Sequence, residues 1–387
     1  MHAPNNAAAF SGRPRQLVLL GAGATHLALL RQLARRPIPS LKLVLVAPHD
    51  PVFLAHALPD FVAATRSANQ CSISLAPLLR ASGARWLPRR AIGLDAEQHS
   101  VLLDNGDALG YDLLSINTGL VQPRAVTEAM LPGARQHGLF VDNTDAFAAL
   151  WPQVMALPPE RLRSIAVLGA GANAVQLALA LRQRLAQVAI TLIAGDQLLL
   201  PEYPLAMQRA VRATLRQQAV TVLPHRAVAL AAAEIHLQDG ARLVCDVPLL
   251  ALPAQLASWL GQGDLAQDQQ LGLVVDHAGR STSHPQVFIH GELLAGTQAQ
   301  RQRLPAHSWH AAAALHSSLV LICAGRPAGA VRHRPPALAL LSGAHQQAFA
   351  CWRGWTVQGW LAWHCRNLLQ RRFAARLVHD GLDKTLT

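Results

Sequence analysis

Two glycine-rich turns constrain the fold of this chain more than any other feature of its sequence. The first, Gly21-Ala-Gly-Ala-Thr-His26, follows the apolar run Gln16–Leu20, and the second, Gly169-Ala-Gly-Ala-Asn-Ala174, follows the apolar run Ile165–Leu168. Each turn leads into an amphipathic segment, so the order strand, tight turn, helix is predicted twice. In that context the glycines let the backbone bend and approach a pyrophosphate, and the helix N-terminus stabilises the phosphate charge. The chain is therefore predicted to hold two dinucleotides, between which electrons pass.

The third glycine of this pattern is absent from both turns. Ala174 replaces it in the second turn, and alanine is an accepted variant because the position requires only close contact between helix and strand. His26 replaces it in the first turn and must be accommodated where the strand and the helix would otherwise touch. An alternative therefore stays open for each turn, namely a glycine-rich βα turn that binds no nucleotide.

Composition narrows the class of protein. The chain has 387 residues, of which 51% are hydrophobic and 14% charged, so it is long enough for two globular domains and an appendage. The net charge of +12 comes mainly from scattered arginines, which are typical of solvated helix faces, and we expect no nucleic-acid partner. The five cysteines have neither CxxC nor CxxxxC spacing, which argues against a redox-active disulfide and a zinc site. Without a signal peptide or a long apolar run, we expect a cytoplasmic protein.

Hydrophobic periodicity predicts an α/β pattern that occurs twice. The predicted strands are Leu41–Val46, Leu113–Ile116, Val188–Ile193 and Val287–Glu292, and the predicted helices are 172–186, Leu205–Gln217 and Ala306–Ala324. Residues Phe53–Arg80 are predicted to be helical, with breaks at Pro59 and Pro77. Alternation between Arg85 and Asp112 around Asn105-Gly106 predicts a hairpin.

These segments, in this order, resemble the FAD-dependent pyridine nucleotide–disulfide oxidoreductase family, and within it the type II NADH:quinone dehydrogenases. The resemblance is closest to the subgroup found beside, or fused ahead of, selenide, water dikinase, and it covers nearly the whole chain. The motifs that carry it are Val18-Leu-Leu-Gly-Ala-Gly-Ala-Thr-His-Leu27, Ala57-Leu-Pro-Asp60, Ser74-Leu-Ala-Pro-Leu78, Tyr111-Asp112, Asn117-Thr118-Gly119, Ser283-His-Pro-Gln-Val-Phe288 and Ala337-Leu-Ala-Leu-Leu-Ser342.

The resemblance implies an α/β fold with two Rossmann-like dinucleotide-binding domains and a C-terminal extension. The FAD domain would comprise residues 14–120 and 271–325, and an NAD(P)H domain of residues 121–270 would be inserted into it. Residues 326–387 would form the extension. The implied cofactors are FAD and NAD(P)H, and the implied partner is an electron acceptor, with a quinone favoured. A homodimer is also compatible with the resemblance.

The resemblance also implies roles for individual residues. At the FAD site they are Gly21, Gly23 and His26 at the pyrophosphate, Thr118 and Gly119 beside the flavin, Glu292 at the ribityl chain, and Ala306 at the start of a helix aimed at the flavin pyrimidine edge. At the NAD(P)H site they are Gly169, Gly171 and Ala174 at the pyrophosphate, with Gln176 near the nicotinamide.

His307 is a further catalytic candidate because a histidine beside the flavin could relay a proton to a reduced quinone. The alternative is a polar residue that takes part only in packing. His307 and His310 lie three residues apart on one predicted helix face, but no carboxylate or cysteine completes a metal site, and none is predicted.

Departures from the family pattern support a second hypothesis. Glu292 replaces an aspartate, Gln176 replaces a glutamate, and Ala251-Leu252-Pro253 replaces an Ala-Thr-Gly turn. These changes are compatible with a flavin- or nucleotide-binding protein that has lost turnover and acts through partners. A reductase linked to selenium metabolism is a third alternative.

The C-terminal extension is rich in tryptophan and arginine. A helix over Val357–Leu377 would have an apolar stripe, formed by Leu361, Cys365, Leu368, Phe373 and Leu377, with the arginines off it or at its edges. Two interpretations remain open. The stripe packs on the protein body or a second copy, or it contacts lipid and places the protein peripherally on the inner face of a membrane.

Overall fold

The computed structural model describes residues 13–268, 272–295, 305–329 and 338–378. Four features named in the sequence analysis lie outside the residues so described. They are the expected domain boundary at 270/271, Ala337 of the last motif, the side chain of Ala306 and the chain beyond residue 378. Within them, the strands are β1 Arg15–Leu20, β2 Leu41–Val46, β3 Val52–Phe53, β4 Ser72–Ile73, β5 Arg85–Leu87, β6 Ala91–Asp95, β7 Ser100–Leu103, β8 Ala108–Gly110, β9 Leu113–Ile116, β10 Leu139–Phe140, β11 Ser164–Leu168, β12 Ala189–Ile193, β13 Thr221–Leu223, β14 Ala227–Ala231, β15 Glu234–Leu237, β16 Arg242–Val244, β17 Val247–Leu250, β18 Val287–Ile289, β19 Leu338–Ser342, β20 Ala348–Trp352 and β21 Trp355–Gly359.

The helices of the same residues are α1 Ala24–Arg35, α2 Leu58–Val62, α3 Leu75–Ser82, α4 Arg124–Met130, α5 Ala134–His137, α6 Thr144–Met155, α7 Ala172–Arg184, α8 Leu205–Gln217, α9 Ser258–Gly261, α10 Pro305–Cys323 and α11 Trp360–Val378. The predicted strands and the helices near 172–186, 205–217 and 306–324 are confirmed to within a few residues.

The first sheet is parallel and has the strand order β18–β9–β1–β2–β5. Its central strand β1 is fully buried from Leu17 to Leu20. Leu17 and Leu19 belong to a core cluster that includes residues of α1 and α10, and Val18 and Leu20 belong to a second cluster. The antiparallel sheet β6–β7–β8 follows the fifth strand of the chain. Strand β18, which comes late in the sequence, pairs with β9 and so brings two distant parts of the chain into one sheet.

The second sheet repeats this arrangement with the order β10–β17–β11–β12–β13 and is also parallel. A second antiparallel sheet, β14–β15–β16, accompanies it. Helix α7 buries Ala174, Leu177, Ala178 and Leu181 against its strands. The α/β fold with two Rossmann-like units is therefore confirmed, and both glycine turns join a central strand to the helix that follows it.

The segment Phe53–Arg80 differs from the predicted interrupted helix. Pro59 and Pro77 lie in the first turns of α2 and α3, where a backbone N–H has no acceptor within the helix, so these prolines begin helices instead of breaking one. The short strands β3 and β4 pair with each other before α3. The predicted turn at Asn105-Gly106 is confirmed between β7 and β8.

The C-terminal residues form the antiparallel sheet β19–β20–β21, which is followed by α11. The predicted helix start at Val357 is wrong because Trp355–Gly359 is paired with β20. The predicted stripe is also wrong in part: Phe373 and Leu377 are buried, whereas Leu361 is 71% exposed and Cys365 and Leu368 also face solvent. In the middle of α11 the buried face carries two polar side chains instead, Arg366 and Gln370.

Candidate active site

The first glycine turn is held tightly against the end of β9. Gly21 has a φ of +83°, and a Cβ atom built on it would lie 2.6 Å from the backbone oxygen of Asn117. A Cβ on Gly23 would lie 2.2 Å from the side-chain oxygen of Asn117. Gly23 is the N-cap of α1, where no side chain caps the helix and no acid lies in the first turn. The turn therefore leaves room, backbone N–H groups and a positive helix end for an anion.

Asn117 connects the three strand ends that meet at this turn. Its Oδ1 accepts a hydrogen bond from the backbone N–H of Thr25 at 3.2 Å, and its Nδ2 donates to the backbone oxygen of His290 at 3.3 Å. Its own N–H donates to the oxygen of Leu20. Sequence reasoning used Asn117 only as part of a motif, although a polar residue directly after a fully buried strand is the signal that could have indicated this role.

His26 lies beneath the turn and does not belong to a cavity wall. Its side chain is fully buried, with Nδ1 2.6 Å from the oxygen of Gly21 and Nε2 2.8 Å from the hydroxyl of Ser115. Because the Gly21 carbonyl can only accept, we assign the proton to Nδ1, which leaves Nε2 to accept from Ser115. The expectation of a pyrophosphate contact is therefore replaced by a supporting role: the imidazole fills the space between β9 and α1.

The buried imidazole predicts a pH dependence of stability. Burial lowers the pKa of His26 from 6.5 to about 4. Between these values the unfolded chain binds a proton that the folded chain does not, so stability falls as the pH drops from 6.5 towards 4. We expect this single group to cost about 2 kcal/mol of unfolding free energy at pH 5.

Urea unfolding of the wild type and of His26→Asn at pH 7.5 and pH 5 measures this contribution. The variant should lose about 2 kcal/mol less between the two pH values than the wild type does. His364→Asn, at an exposed position, serves as the control and should behave like the wild type. Equal pH losses in all three proteins would contradict the assignment.

The first cavity has a volume of about 560 Å³ and begins at the first glycine turn. Its wall includes four residues that the sequence proposed for the flavin side: Thr118, Gly119, Glu292 and His307. His49, Arg89 and Arg90 also line this cavity, and Arg90 Nη2 is 3.0 Å from His49 Nε2. Asp50 does not line this cavity, and its Oδ1 accepts a hydrogen bond from the N–H of Leu75.

The second glycine turn is packed against the end of β17. Gly169 has a φ of +144°, and a Cβ on it would lie 2.3 Å from the backbone oxygen of Ala251 and 3.2 Å from the Cβ of Ala174. Ala174 is fully buried and lies beneath its turn, as His26 does beneath the first. Gly171 is the uncapped N-cap of α7 and faces the second cavity.

The second cavity, also of about 560 Å³, extends from this turn to the C-terminal extension. Gly171, Asn173 and Gln176 form one wall, and Leu340 and Leu341 of β19 form another. The two cavities share part of their walls, and the shared residues are Ala55, His56, Leu120, Gln122, Asp142, Thr144 and Glu292. The two candidate sites therefore adjoin.

Gln176, the residue proposed beside the nicotinamide, lines the second cavity with its amide engaged. Its Nε2 donates to the oxygen of Ala172 at 3.2 Å, and its Oε1 accepts from the N–H of Ser342 at 2.8 Å. Helix α7 is thereby tied to β19. His307 lies in the first turn of α10 and faces the first cavity, as does the neighbouring Ser308.

Sequence reasoning missed a polar cluster at the junction of α2 and α11. Arg366 Nη1 lies 3.0 Å from Asp60 Oδ1, and both side chains are largely buried, with 4% and 14% exposed. The ring of His56 contacts Phe373 edge-on and lines both cavities. Burial, followed by the charges of Arg366 and Arg66, lowers the pKa of His56 to about 3, so the imidazole is neutral. Partners about 300 residues apart leave no signal in local sequence patterns.

The paired parallel sheets, each with an uncapped glycine turn facing a cavity, define a protein of the Rossmann type with two dinucleotide sites. A model of the pyridine nucleotide-disulphide oxidoreductase family matches residues 15–314, and the chain belongs to this family. FAD and NAD(P)H are its cofactors. The two turns fit these phosphate-bearing cofactors, because Gly23 and Gly171 are N-caps without a capping side chain and each lines a cavity, which leaves the helix N-termini available to an anion. No curated protein sequence matches the chain.

Solved structures share this fold. NDH2 from Plasmodium falciparum, in complex with NADH, is 13% identical, with a TM-score of 0.72 over 95% of this chain and 98% of that one. The sulfide:quinone oxidoreductase of Aquifex aeolicus is 16% identical, with a TM-score of 0.69 over 94% and 91%. CoADR-RHD from Bacillus anthracis is 17% identical, with a TM-score of 0.69 over 88% of this chain, which spans only 61% of that longer chain. At these identities the likeness shows the fold.

Among the residues that the structure describes, none of the helices is both long enough and apolar enough to cross a membrane. In the same part of the chain, His, Cys, Asp and Glu side chains nowhere gather in a group of three or more that could hold a metal ion.

Proposed function

We propose that this protein takes hydride from NAD(P)H onto FAD and passes the electrons to a quinone-like acceptor. The observation that carries the proposal is the shared wall between the two cavities, which would bring the two redox groups within reach of each other. FAD, when bound, supplies the chemistry that accepts a hydride and releases electrons singly or in pairs. Residues 14–120 and 271–325 would form the FAD domain, and residues 121–270 the NAD(P)H domain.

The residues of the chain would position the reactants. Gly21 and Gly23 would admit the FAD pyrophosphate, and Gly169 and Gly171 that of NAD(P)H. The helix that begins at Pro305 would direct its positive end at the flavin, where it would stabilise negative charge. His307 would face the flavin from that helix, and His56, neutral because of its lowered pKa, could accept a hydrogen bond but would not carry a stored proton.

The preference for a quinone over a disulfide rests on the cysteines. Cys71 and Cys245 are buried, and burial raises the pKa of each thiol to about 11, so neither is a ready nucleophile. None of the five cysteines lines either cavity. An acceptor that takes electrons directly from the flavin fits this distribution better than one that requires a thiol relay.

Anaerobic titration of the purified protein tests the proposal. We expect a bound-flavin spectrum that bleaches on addition of NADH or NADPH and returns on addition of a soluble quinone. Return of colour with other acceptors but with no member of a quinone panel would reject the quinone. A bound flavin that neither NADH nor NADPH reduces would reject the proposed hydride transfer from NAD(P)H to FAD.

A second candidate function is that of a nucleotide-binding protein without turnover. The bond between Gln176 and the N–H of Ser342 favours it, because the side chain proposed beside the nicotinamide is already engaged. A colourless protein that cannot be reconstituted with FAD would support this alternative. A link to selenium metabolism remains a hypothesis that rests on the resemblance alone.

The C-terminal extension offers a surface through which a lipid-dissolved quinone could be reached. We call it the aromatic edge and define it as Trp352, Trp355, Val357, Trp360 and Leu361, all of which are exposed. Trp352 and Trp355 are cross-strand partners, and Val357 lies on the same face of the hairpin. The guanidinium of Arg353 lies 5.4 Å from the ring centroid of Trp352. Tryptophan beside arginine suits the interface of an anionic bilayer.

The double variant Trp355→Ala/Trp360→Ala is expected to weaken binding to anionic vesicles at least about tenfold, because less apolar surface enters the interface. Vesicle co-sedimentation measures this, and flavin content should stay unchanged. Val244→Ala, at an exposed position in the second antiparallel sheet, is the control. Wild-type protein that does not sediment with the vesicles would contradict the membrane proposal.

A further inference from the structure

His56 presents an unpaired imidazole at the wall that the two cavities share. The residue lines both cavities and is half-buried. Neither ring nitrogen has a hydrogen bond to any of the residues that the structure describes, and both keep accessible surface. A polar group of a bound molecule can therefore reach them. Because polar groups in such surroundings are normally paired, the imidazole indicates a ligand that pairs with it.

The ring of His56 is held in place by packing and not by its own polar atoms. It meets the ring of Phe373 edge-on, with 5.9 Å between the ring centroids and an interplanar angle of 85°. The backbone oxygen of His56 accepts a hydrogen bond from Gln370 Nε2 at 3.3 Å, so helix α11 contacts both the backbone and the ring. The imidazole is thus oriented while its nitrogens stay available, as a preorganised binding residue requires.

The shared wall is also where the two redox groups would meet. The first glycine turn lines only the first cavity, and the second turn lines only the second. Hydride transfer requires the reacting atoms to approach to about 3–3.5 Å, so dinucleotides bound at the two turns would bring their rings together at this wall. Asp142, in the same wall, is already engaged, because its carboxylate accepts from the N–H of Gln122 and from Arg124.

The neutral state of His56 determines what it can offer to a ring at this wall. Its pKa of about 3 leaves the imidazole with one N–H donor and one acceptor nitrogen. The oxygens and ring nitrogens of a flavin can accept from that N–H. Such a hydrogen bond becomes stronger when the flavin carries the negative charge of its reduced form, since a charged acceptor roughly doubles the strength of a hydrogen bond.

We propose that His56 donates a hydrogen bond to the isoalloxazine ring of bound FAD and thereby favours the reduced flavin. This inference rests on the proposed function and adds a residue that sets the redox equilibrium of its cofactor. His56 would act from the side of α2 and α11, whereas the positive end of α10 would act on the flavin from another side of the first cavity.

The redox equilibrium of the bound flavin tests this assignment without turnover. The purified protein is reduced stepwise with dithionite under anaerobic conditions, together with a dye of known potential and without nicotinamide nucleotide. His56→Phe keeps an aromatic ring against Phe373 but has no N–H. We expect its equilibrium constant for flavin reduction to fall about tenfold, because the bond that is lost is stronger in the reduced state. His56→Leu serves if the phenylalanine variant does not fold.

Amide variants separate the hydrogen bond from packing. His56→Asn can place an N–H near the position of Nδ1, and His56→Gln near that of Nε2, so one of them should restore the constant to within about threefold of the wild type. His364→Phe, at an exposed position of α11, is the control and should match the wild type.

The outcomes distinguish this assignment from the proposed function. If NAD(P)H reduces the wild-type flavin but the constant is unchanged in the apolar variant, His56 does not contact the ring and the assignment is overturned. A loss that neither amide restores would also overturn it, because the effect would then come from packing. Wild-type protein that binds no FAD would overturn the inference together with the proposed function.

Discussion

Replacing Gly23 with alanine is expected to give protein that holds less than about a tenth of the wild-type flavin. The new Cβ would lie 2.2 Å from the Oδ1 of Asn117 and 2.6 Å from its backbone oxygen, far inside van der Waals contact. Either the turn or Asn117 must move, and both face the cavity proposed for FAD. A displaced Asn117 would also lose its bonds to Thr25 and His290, which set the positions of the first turn of α1 and of β18.

Flavin content per protein, from absorbance of the purified variant, measures this effect, and far-ultraviolet circular dichroism reports whether the fold is kept. Gly261→Ala is the matched control, because its Cβ would meet its nearest neighbour at an ordinary distance of 3.9 Å. A Gly23→Ala protein with full flavin occupancy would show that the first glycine turn is not part of the flavin site.

Replacing Arg366 with methionine is expected to lower the unfolding free energy by about 3 kcal/mol, because the Asp60 carboxylate would lose its closest charged partner in a largely buried position. Arg66 lies farther from this carboxylate, at 3.9 Å, and compensates only in part. Because this ion pair joins α11 to α2, the packing of these two helices against each other should be weakened most.

Urea unfolding of Arg366→Met, of Asp60→Leu and of the double variant Arg366→Met/Asp60→Leu measures the interaction energy of the two side chains. The double variant should recover most of the stability, because an apolar pair replaces the ion pair without leaving a buried charge. Arg372→Met changes an exposed arginine of the same helix and should alter stability by less than about 0.5 kcal/mol. Strictly additive losses at Arg366 and Asp60 would show that the two side chains do not interact.

Local sequence patterns are sufficient to predict the two strand–turn–helix units of the parallel sheets, because the residues that determine these units are neighbours in the chain. A turn such as Gly21–His26 joins a strand and a helix that are neighbours in the chain, and its glycines are required by contacts within that unit and by an anion. The same reasoning predicts that the third position of each turn lies where helix and strand touch, whereas the resemblance assigned His26 and Ala174 to the pyrophosphates. His26 and Ala174 instead lie beneath their turns, since this position faces the strand and not the cavity.

The extension shows where local reasoning fails. A helical period identified an apolar stripe on the last helix, yet Arg366 and Gln370 are buried there and Leu361 is exposed. The reason is Asp60, a residue about 300 positions earlier that compensates the buried charge. A helix start at Val357 was also predicted, because nothing within the segment indicates that Trp355–Gly359 pairs with β20.

By itself the sequence determined the α/β class and the two strand–turn–helix units, because apolar period and glycine spacing act over a few residues. Its motifs, taken in order, carried the resemblance to the family. Only the tertiary structure decided that the two cavities share a wall and that Asn117 joins three strand ends. It also decided that Arg366 and Gln370 of the C-terminal helix are buried and line the second cavity. These features depend on contacts between residues far apart in the chain, whose partners are selected by packing and by the need to pair buried polar atoms.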